Sequence, residues 1–93
     1  MIVDAGHGGK DTGARSRRTG LTEKTLTLDM AKRLRSELRG GFRVVMTRES
    51  DTFVDLDDRV RLANRHPNGI LVSIHFNSSA SRFTGPEAYW WRV

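Results

Sequence analysis

The chain contains no cysteine. Disulfides and thiolate metal ligands are therefore excluded. The absence is neutral about compartment, because reducing and oxidising surroundings both hold Cys-free proteins. No apolar run approaches the roughly 18 residues that a membrane-spanning helix needs. No charged n-region precedes the first apolar segment, so no signal peptide is read. Met1 stands directly against that strand-like segment, which is compatible with truncation. Internal repeats, low-complexity tracts and domain boundaries are also missing. What is present fits one small globular domain: 93 residues, 37% hydrophobic and 29% charged. The net charge is +5 and the isoelectric point is near 10.7. A basic surface favours anionic partners such as nucleic acid, anionic lipid or an acidic cell-wall polymer. The positive side chains fall into two groups, Arg15, Arg17 and Arg18 in a loop and Lys32, Arg33, Arg35 and Arg39 on a helix. Both read first as solvated surface. A nucleic-acid role is set aside, because no recognised binding motif accompanies the charge.

Periodicity gives the order β, loop, α, β, α, β, loop, β. Residues 1–4 read as the end of a strand, and 5–21 as a long glycine-rich loop. Residues 23–39 carry Leu26, Met30, Leu34 and Leu38 at a four-residue step, with Ala31 alongside. That is one face of an amphipathic helix. Thr22 is its expected N-cap, and Gly40-Gly41 its stop. "FRVVMT", 42–47, reads as a strand. Residues 55–65 read as a shorter helix with Leu56, Val60 and Ala63 inward, ending before Pro67. Asn68-Gly69 is a turn, and "ILVSIHF", 70–76, is a strand covered on both faces. Residues 77–86 read as a loop, and "EAYWWRV", 87–93, as a last strand. Alternation of this kind predicts an α/β fold, a mostly parallel sheet with helices packed on it. A chain that ends inside an aromatic strand leads us to expect more sheet beyond Val93.

The loop "VDAGHGGKDTGA", 3–14, places His7 among glycines just after a strand. A phosphate cradle fails residue by residue. Gly9-Lys10 is followed by Asp11 where a Walker loop needs Ser or Thr, and Asp4 stands where its first glycine belongs. Gly6-x-Gly8 is followed by Asp11 where a dinucleotide fingerprint needs its third glycine. A metal site needs donors from several elements. His7 follows the first strand, and His75 lies near the end of "ILVSIHF". If those strands are parallel neighbours, both imidazoles emerge at the carboxyl edge of the sheet, where α/β proteins place their sites. Glu23 opens the first helix near the same edge. Two histidines and one carboxylate form a known catalytic zinc set. A packed strand histidine, and a glutamate that merely favours a helix start, explain the same residues. Spacing alone leaves both readings open.

Four segments in one order resemble the zinc-dependent N-acetylmuramoyl-L-alanine amidases, in particular the AmiC-like class of cell-wall amidases. They are "IVDAGHGGKDTGA", "TEKTLTLDMAKRL", "VVMTRESDTFVDLDDRVRLAN" and "LVSIHFNSS", and the resemblance runs from Ile2 to about Trp91. It implies an α/β fold of the phosphorylase/hydrolase-like kind, with Zn2+ held by His7, Glu23 and His75. It implies that Arg48 and Asp51 order a loop, and that Arg59 and Asn64 tie the second helix to the sheet. Gly6, Gly8 and Gly9 would let backbone approach the metal and substrate. Asn77 and the loop to Arg82 would line the cleft. The chain departs from the family at Ala5, where proline is common, and at Phe76, where alanine is common. Phe76 is expected to narrow the cleft or change its packing. "GPEAYWW" resembles a G-x-E-x-Y-Y segment. Its Glu87 is a candidate catalytic base, although a strand start makes a structural role the first reading.

The family's general base is a second glutamate in a motif well beyond this region, and residues 1–93 hold no counterpart to it. The resemblance thus implies the amino-terminal portion of an amidase catalytic domain. The complete reaction would cleave the amide between N-acetylmuramic acid and L-alanine of the stem peptide. Peptidoglycan would be the substrate, in a periplasmic or extracellular cell-wall setting. Residues 1–93 by themselves are expected to be inactive. The other reading is a zinc- or cell-wall-binding fragment without turnover. Activator proteins and regulatory helices are not legible in the sequence.

Overall fold

A computed structural model describes residues 1–79 and 82–93 of the chain, with the side chains of 77–84 outside the description. Its elements are β1 (Ile2–Ala5), α1 (Glu23–Leu38), β2 (Val45–Met46), α2 (Leu56–Asn64), β3 (Ile70–Ser79) and β4 (Arg82–Arg92). They form one sheet in the order β2-β1-β3-β4. β1 pairs in parallel with β2 and with β3, and β4 runs antiparallel to β3. The expected class, a mostly parallel sheet with packed helices, is the one observed. No helix among the described residues is long and apolar enough to cross a membrane.

Alternation along β1 sends its side chains to two cores. Val3 and Ala5 join Ile74 and Ala31 under α1, flanked by Leu28, Met30, Leu34 and Leu38. Ile2 and Leu71 meet Ala63 of α2 on the other face. The two helices therefore cover opposite sides of the sheet. β1 lies between β2 and β3, so the chain leaves β1 toward one side for β2 and returns past it for β3. The gap between the carboxyl ends of β1 and β3 is thus a switch point, the usual location of α/β sites.

Several local expectations change. The most buried row of α1 is Glu23, Thr27 and Ala31 rather than the leucine row, and Leu26 lies outside the apolar cluster. Small side chains at 27 and 31 let the helix sit close, and the larger ones splay to its flanks. Thr22 occupies the N-cap position but makes no side-chain cap; its hydroxyl meets that of Thr25 at 3.1 Å. α2 buries Arg59 and Ala63, while Leu56 is 75% and Val60 46% exposed. The helix is turned to satisfy a buried charge on Arg59 in place of its apolar stripe. β2 is two residues long: the Phe42 amide donates to the Leu38 carbonyl at the end of α1, and Val45 and Thr47 donate to the Met1 and Val3 carbonyls of the neighbouring segment. Of the expected loop at 77–86, residues 77–79 and 82–86 are strand, with a register shift between Asn77 and Ser78; residues 80–81 lie outside the described residues. Asn68 does take the left-handed turn conformation expected of it, with φ 68°.

Candidate metal centre

The site begins where β1 runs out. The Gly6 amide still donates to Ile74 at 3.0 Å, continuing the β1–β3 ladder by one bond. His7 then turns into the left-handed region at φ 66°, a conformation that costs a residue with a Cβ about 1–2 kcal/mol. The turn is closed by paired backbone bonds between Gly8 and Asp11, at 2.7 and 3.0 Å. Two buried arginines hold it from below. Arg48 donates to the carbonyls of Ala5, Gly6 and Lys24, at 2.9–3.1 Å. Arg59 donates to the carbonyls of Ala5 at 2.8 Å and His7 at 2.7 Å. Lys24 adds bonds to the Gly9 carbonyl at 3.0 Å and to Asp51 at 2.9 Å, and Asp51 in turn accepts from the Gly9 amide. Arg48, Asp51 and Arg59 thus play the ordering parts expected of them. Asn64 is exposed at the end of α2, so the tie to the sheet rests on Arg59.

Three donors converge above this support. His7 Nε2 stands 3.0 Å from Glu23 Oε2. His75 Nδ1 is 3.3 Å from His7 Nε2 and 3.3 Å from Glu23 Oε2. The three residues form a group whose ligand atoms all lie within 4.8 Å of one another. Parallel pairing of β1 with β3 explains the meeting of the histidines, since Ala5 lies in register with Ile74 one step before His75. Glu23 arrives because α1 starts under the turn and buries its first residue.

Burial works against the charge on Glu23. The Ala14 and Phe76 amides, at 3.1 Å each, together with His7, nevertheless hold its carboxyl below the ordinary range. The group therefore presents an anionic oxygen beside two imidazoles, a donor set suited to a divalent metal. Phe76, expected to narrow the cleft, contributes this amide to Glu23. Beside the histidines lies a cleft of about 400 Å³ whose apolar wall includes Phe53, Leu56, Val60 and Trp91.

At two glycines the missing side chain makes room for the histidines themselves. A Cβ on Gly6 would stand 2.5 Å from His75 Cε1, so the imidazole occupies the space the missing side chain leaves. A Cβ on Gly13 would meet His7 Cδ2 at 2.7 Å. Gly6→Ala is therefore expected to push the His75 ring out of line while the strand persists. Metal affinity should fall by more than about tenfold, with an unchanged far-ultraviolet circular dichroism spectrum. Wild-type affinity in that variant would refute the packing argument.

Glu87 stands opposite His75 in the β3–β4 register, but its carboxylate accepts from the Tyr89 hydroxyl at 2.6 Å and is not among the three converging residues. The side chains of Asn77 and Arg82 lie outside the described residues. Three contributors went unnoticed in the sequence: Asp11, Lys24 and Thr27. Thr27 is fully buried and donates to the Gly6 carbonyl at 2.6 Å. Its signal was a polar residue one helical turn after Glu23, on the same face.

Comparison with known proteins places this arrangement in a group. The family described as N-acetylmuramoyl-L-alanine amidase (Amidase_3) matches residues 1–92. The chain is 45% identical to the amidase AmiA of Escherichia coli (strain K12) over 89 residues, 95% of this chain and 29% of that protein. It is 42% identical to the sporulation-specific amidase of Bacillus subtilis (strain 168), over 96% of this chain and 34% of that one. Among solved structures it resembles the catalytic domain of CwlV from Bacillus (Paenibacillus) polymyxa var. colistinus. The TM-score there is 0.78 at 46% identity, covering 86% of this chain and 46% of that domain. The chain thus spans about a third of these two curated relatives and about half of a solved catalytic domain. With a family match over nearly its whole length and a sheet that superposes on amidase catalytic domains, this chain belongs to the N-acetylmuramoyl-L-alanine amidase family.

Proposed function

We propose that the chain forms the zinc-binding portion of a peptidoglycan amidase. Such an enzyme hydrolyses the amide between N-acetylmuramic acid and L-alanine of the stem peptide, in a periplasmic or extracellular cell-wall setting. The observation that carries this reading is the spacing of the donors. Ligand atoms held tetrahedrally at about 2.0–2.1 Å from zinc stand roughly 3.3 Å apart. The three separations observed here are 3.0, 3.3 and 3.3 Å. Two neutral nitrogens and one carboxylate leave a fourth position, as catalytic zinc sites do.

A zinc ion held there supplies Lewis-acid polarisation of the scissile carbonyl and lowers the pKa of a water toward about 7. The chain's own residues do the rest of the positioning. Glu23 stays ionised through its two backbone amides. Gly6 leaves room for His75, and Arg48 and Arg59 fix the carbonyls beneath His7. The cleft beside the histidines offers an apolar wall to the flank of the substrate. The chain covers 46% of a solved amidase catalytic domain, and in this reading the proton-transferring base falls to a glutamate of the part not covered. Glu87 is the runner-up for that role, and its bond from Tyr89 favours a structural part instead.

The test is metal analysis joined to an activity assay. Residues 1–93 should bind about one zinc per chain and release no stem peptide from purified peptidoglycan. A longer product containing them should expose new L-alanine amino termini. Cleavage by residues 1–93 that is lost in Glu87→Gln would move the base to Glu87. Failure of the longer product to cleave would leave the zinc- or wall-binding reading without turnover.

A further inference from the structure

Asp11 is a charged residue beside the centre that the donor set does not use. Its Oδ2 lies 3.0 Å from His7 Nδ1, the ring nitrogen that faces away from Glu23 and His75. Its Oδ1 accepts from the Gly13 amide at 3.1 Å. The backbone of the same residue closes the turn onto Gly8 in both directions. One carboxylate thus takes two N–H donors, one from the ring and one from the loop, while its main chain fixes the distance to His7. We propose that Asp11 is the positioning residue of the centre: by accepting Nδ1–H of His7, it keeps that proton on the outer nitrogen and leaves Nε2 bare for a metal. The inference rests on the metal reading of His7, Glu23 and His75.

The geometry makes the demand specific to a carboxylate. Asparagine has nearly the same shape but a single acceptor oxygen for two donors. If that oxygen stays on Gly13, the amide NH2 faces His7 Nδ1 and favours the tautomer protonated at Nε2, which cannot bind metal. If it turns to His7, the NH2 opposes the Gly13 N–H. In the metal-free protein Glu23 Oε2, 3.0 Å from Nε2, also draws a proton to that nitrogen. Asp11 is the group that favours a proton on Nδ1. Partners of ligating histidines commonly contribute 10–100-fold in metal affinity.

The experiment compares wild type, Asp11→Asn and Asp11→Ala by chelator competition with Zn2+ and with Co2+ at neutral pH. Thermal unfolding of the metal-free proteins is measured alongside. Both variants should bind roughly 10–100-fold more weakly. Asparagine should be at least as harmful as alanine, even though it preserves the shape of the turn and should unfold near the wild-type temperature. A residue that only shaped the turn would give the opposite ranking. Affinity in Asp11→Asn within threefold of wild type would overturn the proposal. Long-range 1H–15N spectra of the metal-free proteins supply a readout independent of metal. Nδ1 of His7 should be protonated in wild type and bare in Asp11→Asn; the same state in both would also overturn it. If wild type binds no metal at all, the metal reading fails, and the spectra still decide the part played by Asp11.

Discussion

Alanine at His75 is expected to empty the centre while leaving the fold in place. The imidazole side chain is about a third exposed, and His75 lies outside both apolar clusters, so its loss removes little core packing. A change of under about 1 kcal/mol in unfolding free energy is expected, as for substitutions away from the core. Zinc sites built from protein ligands bind with roughly 10–16 kcal/mol at neutral pH. One ligand of three or four therefore carries about 3–4 kcal/mol, on the order of 10²–10³-fold in affinity. Metal analysis after gel filtration should show about one zinc per chain in wild type. In His75→Ala and His7→Ala it should show almost none. Wild-type zinc content in both variants would sink the assignment.

Replacing Arg59 with methionine is expected to have the largest effect on stability. Asp4 is buried beneath the sheet edge and accepts from Arg59 at 2.6 Å, Ser73 at 2.7 Å and Thr47 at 2.8 Å. Arg59 also satisfies the Val54, Ala5 and His7 carbonyls. Methionine preserves much of the volume but leaves a buried carboxylate unpaired, at a cost of about 3–5 kcal/mol. A small domain has roughly 5–15 kcal/mol in all. Urea unfolding should therefore show a midpoint lowered by at least about 1 M. Asp4→Asn combined with Arg59→Met should recover part of the loss, because no uncompensated charge then remains.

The same pair gives a pH signature. Burial opposes ionisation of Asp4, but the Ser73 hydroxyl, the Arg59 charge and the Thr47 hydroxyl hold its carboxyl below the ordinary value of 3.8. A group lowered in the folded state binds fewer protons there than in the unfolded chain. Its stabilisation is complete above the unfolded pKa and disappears as pH falls through the folded one. Wild-type stability should decline below about pH 4, with a smaller decline in Asp4→Asn. Equal acid sensitivity in the two proteins would show that Asp4 contributes nothing there.

How legible these features were depended on the range of the interaction. The alternation of elements and the pairing of His7 with His75 across parallel strands followed from local pattern and one topological rule. The rotation of α2 did not. Leu56 and Val60 look like its buried side because apolar spacing is what a sequence displays. Arg59 wins because an ion pair with Asp4, 55 residues away, and three carbonyls outweigh two partly exposed apolar side chains. The 77–86 segment also misled, since Ser, Asn and Gly read as loop until a partner strand offers them a ladder.

Asp11 was visible as a letter four residues after His7, but its meaning depended on a turn in which His7 takes a positive φ. The sequence by itself determined the class of fold, the donors available and the family to which they belong. Their types and order are local properties of the chain. Tertiary structure alone decided which ring nitrogen faces which donor, and that Gly6 must lack a side chain because His75 lies over it. It also decided that a buried Asp4–Arg59 pair holds the turn carrying His7. Each of these depends on contacts between segments tens of residues apart, where a shift of one ångström changes the chemistry.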